Sequence, residues 1–227
     1  MINASSRDQI LSAVRAALPG EKGGDMRGIS DYDANLIPER TRGQAIDLQA
    51  LFVEMAEAVK ATVTTVVTAA AVPQAIAEYL AEHNLPTNIA MAPDKRLDRI
   101  PWDRMPMLHF RRSAATESDL VSVTGTFAAI AETGTLMMAS DPERPNTLNF
   151  LPDNNIVVLS SRDIVATYED AWIRLRGAAV SPEMPRTVAL VTGPSRTSDI
   201  ELVPTLGAHG PRRLHIVIIS SNAAEDS

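Results

Sequence analysis

Four polar segments of this chain carry residue types at spacings that could do chemistry. The first, Glu132-Thr133-Gly134-Thr135, ends an apolar run with a carboxylate in a turn ahead of a glycine. Such a carboxylate can act as a general base, or as a nucleophile on an activated acyl group, or it can simply bond nearby amides. The second, Thr192–Asp199 (TGPSRTSD), follows a β-branched apolar run. Gly193, Ser195, Arg196 and Thr197 offer backbone amides, hydroxyls and a guanidinium able to hold a carboxylate or phosphate. The same residues also suit an ordinary turn that caps a short helix through Ser195 or Thr197. The third, Leu206–Arg213 (LGAHGPRR), sets His209 between glycines and next to Arg212 and Arg213. Gly207 and Gly210 permit close backbone approach, and a histidine beside two cations suits an α-hydroxy or α-keto carboxylate; solvated arginines on a surface loop are the other reading. In the fourth, Pro142–Asn154, Arg144, Asn146 and Asn149 either line the same pocket or stabilise a loop rich in Asn and Pro.

Several familiar motifs are excluded. A nucleophile elbow would need glycine at Thr197, and a Walker loop would need Gly-Lys before the hydroxyl. No GxGxxG announces a dinucleotide site. The remaining histidines, His83, His109 and His215, share no i, i+4 spacing, so no metal site is expected. The 227 residues contain no cysteine, which removes disulfides, thiolate zinc, thiol nucleophiles and any thiolate-held iron–sulfur cluster from this chain's own chemistry. A net charge of −7 argues against nucleic acid as a partner. Met1–Pro19 shows no basic start followed by an apolar core, and the longest apolar stretch, Ala61–Pro73, falls short of the roughly 20 residues that span a bilayer. A cytoplasmic protein without a membrane span is expected.

The elements that must position these segments follow from periodicity. Ser6 and Gln9 form a capping box ahead of a helical stripe of Ile10, Leu11, Val14 and Leu18, which Pro19-Gly20 ends. Glu21–Gly43 has no period and reads as a linker, so residues 1–43 are taken as an N-terminal helical arm and 44–227 as the main domain. A helix is expected over about Gln44–Lys60, with Leu48, Phe52, Met55 and Val59 on one face. Val63–Thr68 is then a strand, Val72-Pro73 opens a helix running towards Asn84, and Asn88–Met91 is a strand, together a βαβ unit. Phe127–Ala131 and Thr135–Ala139 flank Glu132-Thr133-Gly134 as a tight hairpin whose glycine takes positive φ. Further strands are expected at Ile156–Leu159, Thr187–Val191 and Leu214–Ile219. A helix over Asp163–Arg176 is expected to carry an exposed Asp170–Arg174 pair and to stop at Gly177. The alternation predicts an α/β fold: a mostly parallel sheet, helices on both faces and one antiparallel hairpin. Ligands of such sheets bind beyond the carboxyl ends of the strands, at a topological switch point.

Three ordered blocks, AETGTLMMASDPERPNTLNFLPDNNIVVL, TGPSRTSDIE and LGAHGPRRLHIVII, resemble the lactate utilization protein C family (LutC, also called YkgG), whose core is the LUD domain. The resemblance covers Glu132 to Ile219 strongly and the preceding half loosely. It implies a Rossmann-like fold similar to sugar-phosphate isomerases and CoA transferases. It also implies membership of a bacterial three-protein system oxidising L-lactate to pyruvate, with iron–sulfur clusters in the partner subunits and none on this chain.

Three functional readings result. In the first, the chain is an accessory subunit of a lactate-oxidising complex. Ser195, Arg196 and Thr197 would then hold a small carboxylate such as lactate or pyruvate, His209 and Arg212 would stand nearby, and Glu132 would accept a proton. In the second, it is a free-standing acyl-CoA or sugar-phosphate enzyme, because Glu132-Thr133-Gly134 is similar to the E-x-G around the nucleophilic glutamate of some CoA transferases. In the third, it is a non-catalytic scaffold or regulatory module that docks through its first helix.

Overall fold

The computed structural model describes residues 11–13, 41, 46–178, 184–197, 205–207 and 209–220. The chain divides into two units, Met1–Ile37 and Pro38–Ser227. In the first, residues 11–13 are helical; the capping box at Ser6, the rest of the apolar stripe and nearly all of the expected linker lie outside the described residues.

In the second unit, α1 (Leu48–Ala58) starts where Asp47 accepts the amide of Ala50 at 3.0 Å, and it buries Phe52 and Ala56. Strand β1 (Thr62–Val66) follows, then α2 (Val72–Glu82), which carries Pro73 in its first turn and buries Ile76, Tyr79 and Leu80. Asn84 ends this helix region at φ 51°, a left-handed conformation that asparagine tolerates. Next come β2 (Asn88–Met91), the single turn α3 (Lys95–Asp98), β3 (His109–Arg112) and β4 (Val121–Gly125). The hairpin strands β5 (Ala128–Ile130) and β6 (Thr135–Ala139) precede α4 (Thr147–Phe150) and β7 (Asn154–Ser160). The chain continues through β8 (Ile164–Val165), α5 (Tyr168–Ala178), β9 (Val188–Val191), β10 (Arg196–Thr197), β11 (Thr205–Leu206) and β12 (Arg213–Ile219).

Six strands form one wholly parallel sheet in the order β1-β12-β7-β4-β2-β3. Ile156–Leu159 of β7 and Ile216–Ile219 of β12 are apolar on both sides, as a sheet covered on both faces requires. From β7, Ile156 and Val158 pack towards α2, while Val157 and Leu159 pack towards α1 and a second sheet. That second sheet has the order β8-β5-β6-β9. Ala129, Ala131, Leu136 and Met138 face the parallel sheet, and the alternate residues Ala128, Ile130, Met137 and Ala139 face Ala171 and Leu175 of α5. The α/β architecture, with helices on both faces of a parallel sheet and one antiparallel hairpin, is the one expected from sequence. Among the described residues no helix is long and apolar enough to cross a membrane.

The structure corrects the expected elements in several places. Strands β3 and β4 were not anticipated. β4 hides because Ser122 and Thr124 alternate with its valines, yet both are buried. Ser122 donates to the Leu148 carbonyl at 2.7 Å, and Asn155 donates to the Ser122 hydroxyl at 2.9 Å, so the polar groups are paired in the core. Strands β1 and β2 share a sheet and a direction but are not neighbours, since β12, β7 and β4 lie between them. The hairpin belongs to the second sheet and not to the parallel one. The helix expected from Asp163 begins at Tyr168, because Ser160 and Asp163 form a capping box around a short turn and Ile164 pairs with Ala129. Asp170 does not pair with Arg174. It accepts from the Thr167 amide and hydroxyl at 3.0 and 2.8 Å, while Arg174 donates to Asp163 at 2.7 Å. Gly177 lies inside α5 instead of after it.

Candidate functional site

The sequence-derived candidates separate into three groups. The first gathers round the hairpin turn and the start of α5. Glu132 is 4% exposed, and its carboxylate accepts the amide of Tyr168 at 3.0 Å. A carboxylate on the leading amide of an eleven-residue helix fits the helix dipole and an otherwise orphaned donor. Gly134 has φ 65°, and a Cβ there would fall 2.3 Å from the backbone nitrogen of Ala56, so the turn lies directly on α1. The Thr135 hydroxyl sits 2.9 Å from that of Tyr168 and 2.7 Å from that of Thr192, and Thr133 lies 2.7 Å from Thr135. Gly193, the residue after Thr192, rests against the Val59 carbonyl. These groups satisfy one another, and the only acid among them already accepts a helix amide.

The second group lies at the amino edge of the parallel sheet. Ser195 donates its amide to the Pro211 carbonyl at 2.8 Å, its hydroxyl accepts the His209 amide at 3.2 Å, and its carbonyl accepts the Gly207 amide at 3.2 Å. Gly210 packs on Ser195 and Phe150. Arg212 stands 4.0 Å from Asp153, with both side chains about half exposed. The second and third sequence segments therefore do meet. Arg196 and Thr197 continue into β10, which pairs with β11, so Ser195 caps no helix among the described residues.

The third group occupies the carboxyl edge. Strand β2 continues to β3 on one side, whereas β4 continues through the hairpin sheet to β7 on the other. Neighbouring strands β2 and β4 thus send the chain in opposite directions, which defines the topological switch point of the sheet. A small open cleft lies there, lined by Ala92, Thr124, Gly125, Phe127, Arg144 and Asn149, with Met138, Ala139 and Pro145 completing its wall. Val121 pairs with Asn154 and Gly125 with Val158, so the cleft stands about 13 Å along the strands from the amino-edge group. Of the sequence candidates, Arg144 and Asn149 line this cleft. Asn146 lies between them in the chain, and its side-chain oxygen is buried without a donor among the described residues.

Among the described residues, Arg144 is the only charged one in the cleft wall. Its Nε donates to Asp141 at 2.7 Å and its Nη2 donates to the same carboxylate, leaving Nη1 without a protein acceptor among the described residues. Behind the cleft, Asp94 and Arg96 pair through Nη2 at 2.9 Å, and Asp94 also accepts the Arg96 amide at 2.9 Å. Burial opposes ionisation of Asp94, but the Arg96 bonds, reinforced by Arg144, outweigh it and hold the carboxyl below its usual range. Gly125 makes room for this pair: a Cβ would fall 3.0 Å from Arg96 Nη2 and 3.1 Å from Asp94 Oδ2. Arg96 also faces Asp163 at 3.9 Å, Asp163 pairs with Arg174, and the Arg174 guanidinium lies 5.7 Å from the centre of the Phe127 ring. Sequence reasoning missed Asp94, Arg96, Gly125, Phe127 and Asp163. The available signal was Asp94 as a cap directly after a buried strand.

The cleft therefore combines small and apolar walls, one guanidinium with a free amino group, and neutral polar groups, with no carboxylate in its lining. Such a set suits a small anion bearing an apolar substituent. Among the described residues no cluster of three or more histidines and acids could hold a metal.

Comparison with known proteins bears on what this architecture belongs to. A crystal structure of a DUF162 family protein from Deinococcus radiodurans superposes with a TM-score of 0.56 at 23% identity, over 76% of this chain and 96% of that one, a likeness of fold. The lactate utilization protein C of Deinococcus radiodurans is 35% identical over 118 residues, 52% of either chain. The Escherichia coli protein YkgG is 29% identical over 121 residues, 53% of this chain and 52% of its own. The chain spans about half the length of the curated relatives it matches. The LUD domain family model matches residues 49–219, from α1 through β12 and across every element that builds the cleft, and the chain belongs to the LUD domain family.

Proposed function

We propose that this chain is the small-carboxylate-binding subunit of a lactate utilization system and holds L-lactate or pyruvate in the switch-point cleft. The observation that carries the reading is Arg144, a lone guanidinium with a free Nη1 in a wall otherwise apolar or neutral. A carboxylate would accept from that amino group, and a methyl substituent would lie against Phe127, Met138 and Ala139. The names of the relatives supply the substrate class. Conversion of lactate to pyruvate releases two electrons and two protons, which need an acceptor. On a chain without cysteine, thiolate-held clusters cannot take them. Iron–sulfur partner subunits are the acceptors on this reading, and the complex works in the cytoplasm. The anion site is placed at Arg144 and Asn149 in preference to Ser195, Arg196, Thr197, His209 and Arg212, which stand at the opposite edge of the sheet.

Calorimetric titration of the full chain with L-lactate and pyruvate tests this. Arg144→Gln is expected to weaken binding at least about tenfold, the loss of one charge-assisted hydrogen bond. Unchanged affinity in that variant, with a comparable loss in Arg212→Ala, would instead locate the anion site at the amino edge.

A further inference from the structure

We propose that β9 is a docking edge for a second copy of this chain, where the hairpin sheets of two copies join edge to edge. Strand β9 ends the order β8-β5-β6-β9, and among the described residues nothing pairs with its outer side. The Ser140 amide donates to the Thr187 carbonyl at 3.0 Å, and an unbroken register then sets Met138 against Ala189 and Leu136 against Val191. Hydrogen-bonded pairs recur at every second residue of an antiparallel ladder, so Thr187, Ala189 and Val191 bond to β6. Val188 and Leu190 therefore turn their amides and carbonyls outward.

Native sheets guard such edges with charge, shortness or irregularity. In this molecule β3, one edge of the parallel sheet, carries exposed His109, Arg111 and Arg112, and β8 is two residues long. The other parallel edge, β1, has three threonines among its five residues. Thr187–Val191 reads TVALV, without a charge, a proline or a break in register, and Leu190 is 45% exposed.

A second copy fits this edge because the edge complements itself. Antiparallel pairing about a two-fold axis at Ala189 sets Val188 against the partner's Leu190 and Leu190 against the partner's Val188, so every outward backbone group is bonded. The Val–Leu pairs lie on the face of the sheet that carries α5, where Val188 already packs. Ala189 meets the partner's Ala189 as a non-hydrogen-bonded pair, in which side chains approach most closely and a methyl group fits. Arg186 falls opposite the partner's Thr192, so no like charges oppose each other in the ladder although each chain carries a net charge of −7.

Sedimentation of the full chain across the micromolar range tests this, as wild type, Leu190→Lys, Val188→Pro and Ala189→Cys. The wild type is expected to sediment as a dimer. Leu190→Lys puts a charge into the Val–Leu pair, and Val188→Pro deletes an outward amide that β6 does not use. Each should weaken association at least about tenfold while the circular dichroism of the chain stays unchanged. Because the chain has no cysteine, Ala189→Cys carries its only thiol, at a cross-strand Cα separation of about 4.5 Å that a disulfide can bridge. Copper–phenanthroline oxidation should convert it to a covalent dimer and leave Val67→Cys, exposed just after β1, as monomer. A wild type that stays monomeric throughout overturns the proposal and leaves the edge to an extended segment of another protein. A dimer that survives both edge variants without a crosslink through position 189 overturns it too, by placing the contact elsewhere.

Discussion

The fold should lose stability on mild acidification through one residue, His215. It sits on β12 at 2% exposure, its Nδ1 lies 2.8 Å from the Thr62 hydroxyl, and its ring stacks on Tyr79 with centroids 4.0 Å apart. The other ring nitrogen, Nε2, is buried without a partner among the described residues, so an added proton finds no acceptor. Burial, with a smaller contribution from His83, lowers the pKa from 6.5 to about 4. The fold therefore favours the neutral ring, and the unfolded chain takes up the proton first. Stability is highest above about pH 6.5, falls as the pH drops towards about 4, and is flat in this contribution below that. Linkage gives a loss of about 2 kcal/mol between about pH 7.5 and pH 5, rising to about 3 kcal/mol below pH 4. Asp94 and Asp119, whose pKa values lie below 3.8 because Arg96 and Arg111 outweigh the opposing effect of burial, contribute only at lower pH. Urea unfolding followed through Trp102 and Trp172 fluorescence across that window measures the effect, with His215→Gln as the reference because glutamine can meet Thr62 and does not titrate. The reasoning fails if the wild type and the variant lose stability in parallel between pH 7.5 and pH 5.

Two further outcomes follow from the hairpin turn. Gly134→Ala would force a left-handed residue against the backbone of Ala56 and Met55, with Cβ separations of 2.3 and 2.5 Å, and should cost about 3 kcal/mol or more. Thermal unfolding would show this as a fall in Tm of about 10 °C. Glu132→Ala should strip the acceptor from the Tyr168 amide and cost about 1–3 kcal/mol, whereas Glu132→Gln keeps a carbonyl there and should cost less. Hydrogen exchange at the Tyr168 amide separates the two variants; equal protection in both would mean that the carboxylate does not cap α5.

Local chemistry made much of the fold legible before any coordinates. Pro73 announced α2, Asn84 its end, and the glycine after Glu132-Thr133 fixed a hairpin whose register pairs Ala128 with Met137. What stayed hidden depended on partners distant in sequence. Ser122 and Thr124 interrupt the apolar pattern of β4, and the groups that satisfy them, Asn155 and the Leu148 carbonyl, arrive later in the chain. The site divides the same way. Arg144 and Asn149 stood out by type in a conspicuous loop. Asp94, Arg96 and Asp163 become one charged network only once β2, β4 and β7 lie side by side, and sequence carries no trace of strand order. Ser195, His209 and Arg212, expected near one another, meet with Gly207 and Gly210 at the amino edge, not at the edge where open α/β sheets bind ligands.

The order of the parallel sheet also sets a timetable for synthesis. Strand β1 has a single neighbour, β12, which pairs Thr62 with His215, and β12 in turn covers the flank of β7. While the roughly 150 intervening residues emerge from the ribosome, for on the order of 10 s, β1 has nothing to pair with, and for the last roughly 50 of them, a few seconds, β7 presents an open, apolar edge. Nascent chains released before β12 would carry that edge into solution, where another strand could add to it. Early β1 is rich in threonine and half-polar, which keeps it soluble while it waits; β7 has no such protection, and it is the strand a chaperone would have to shield.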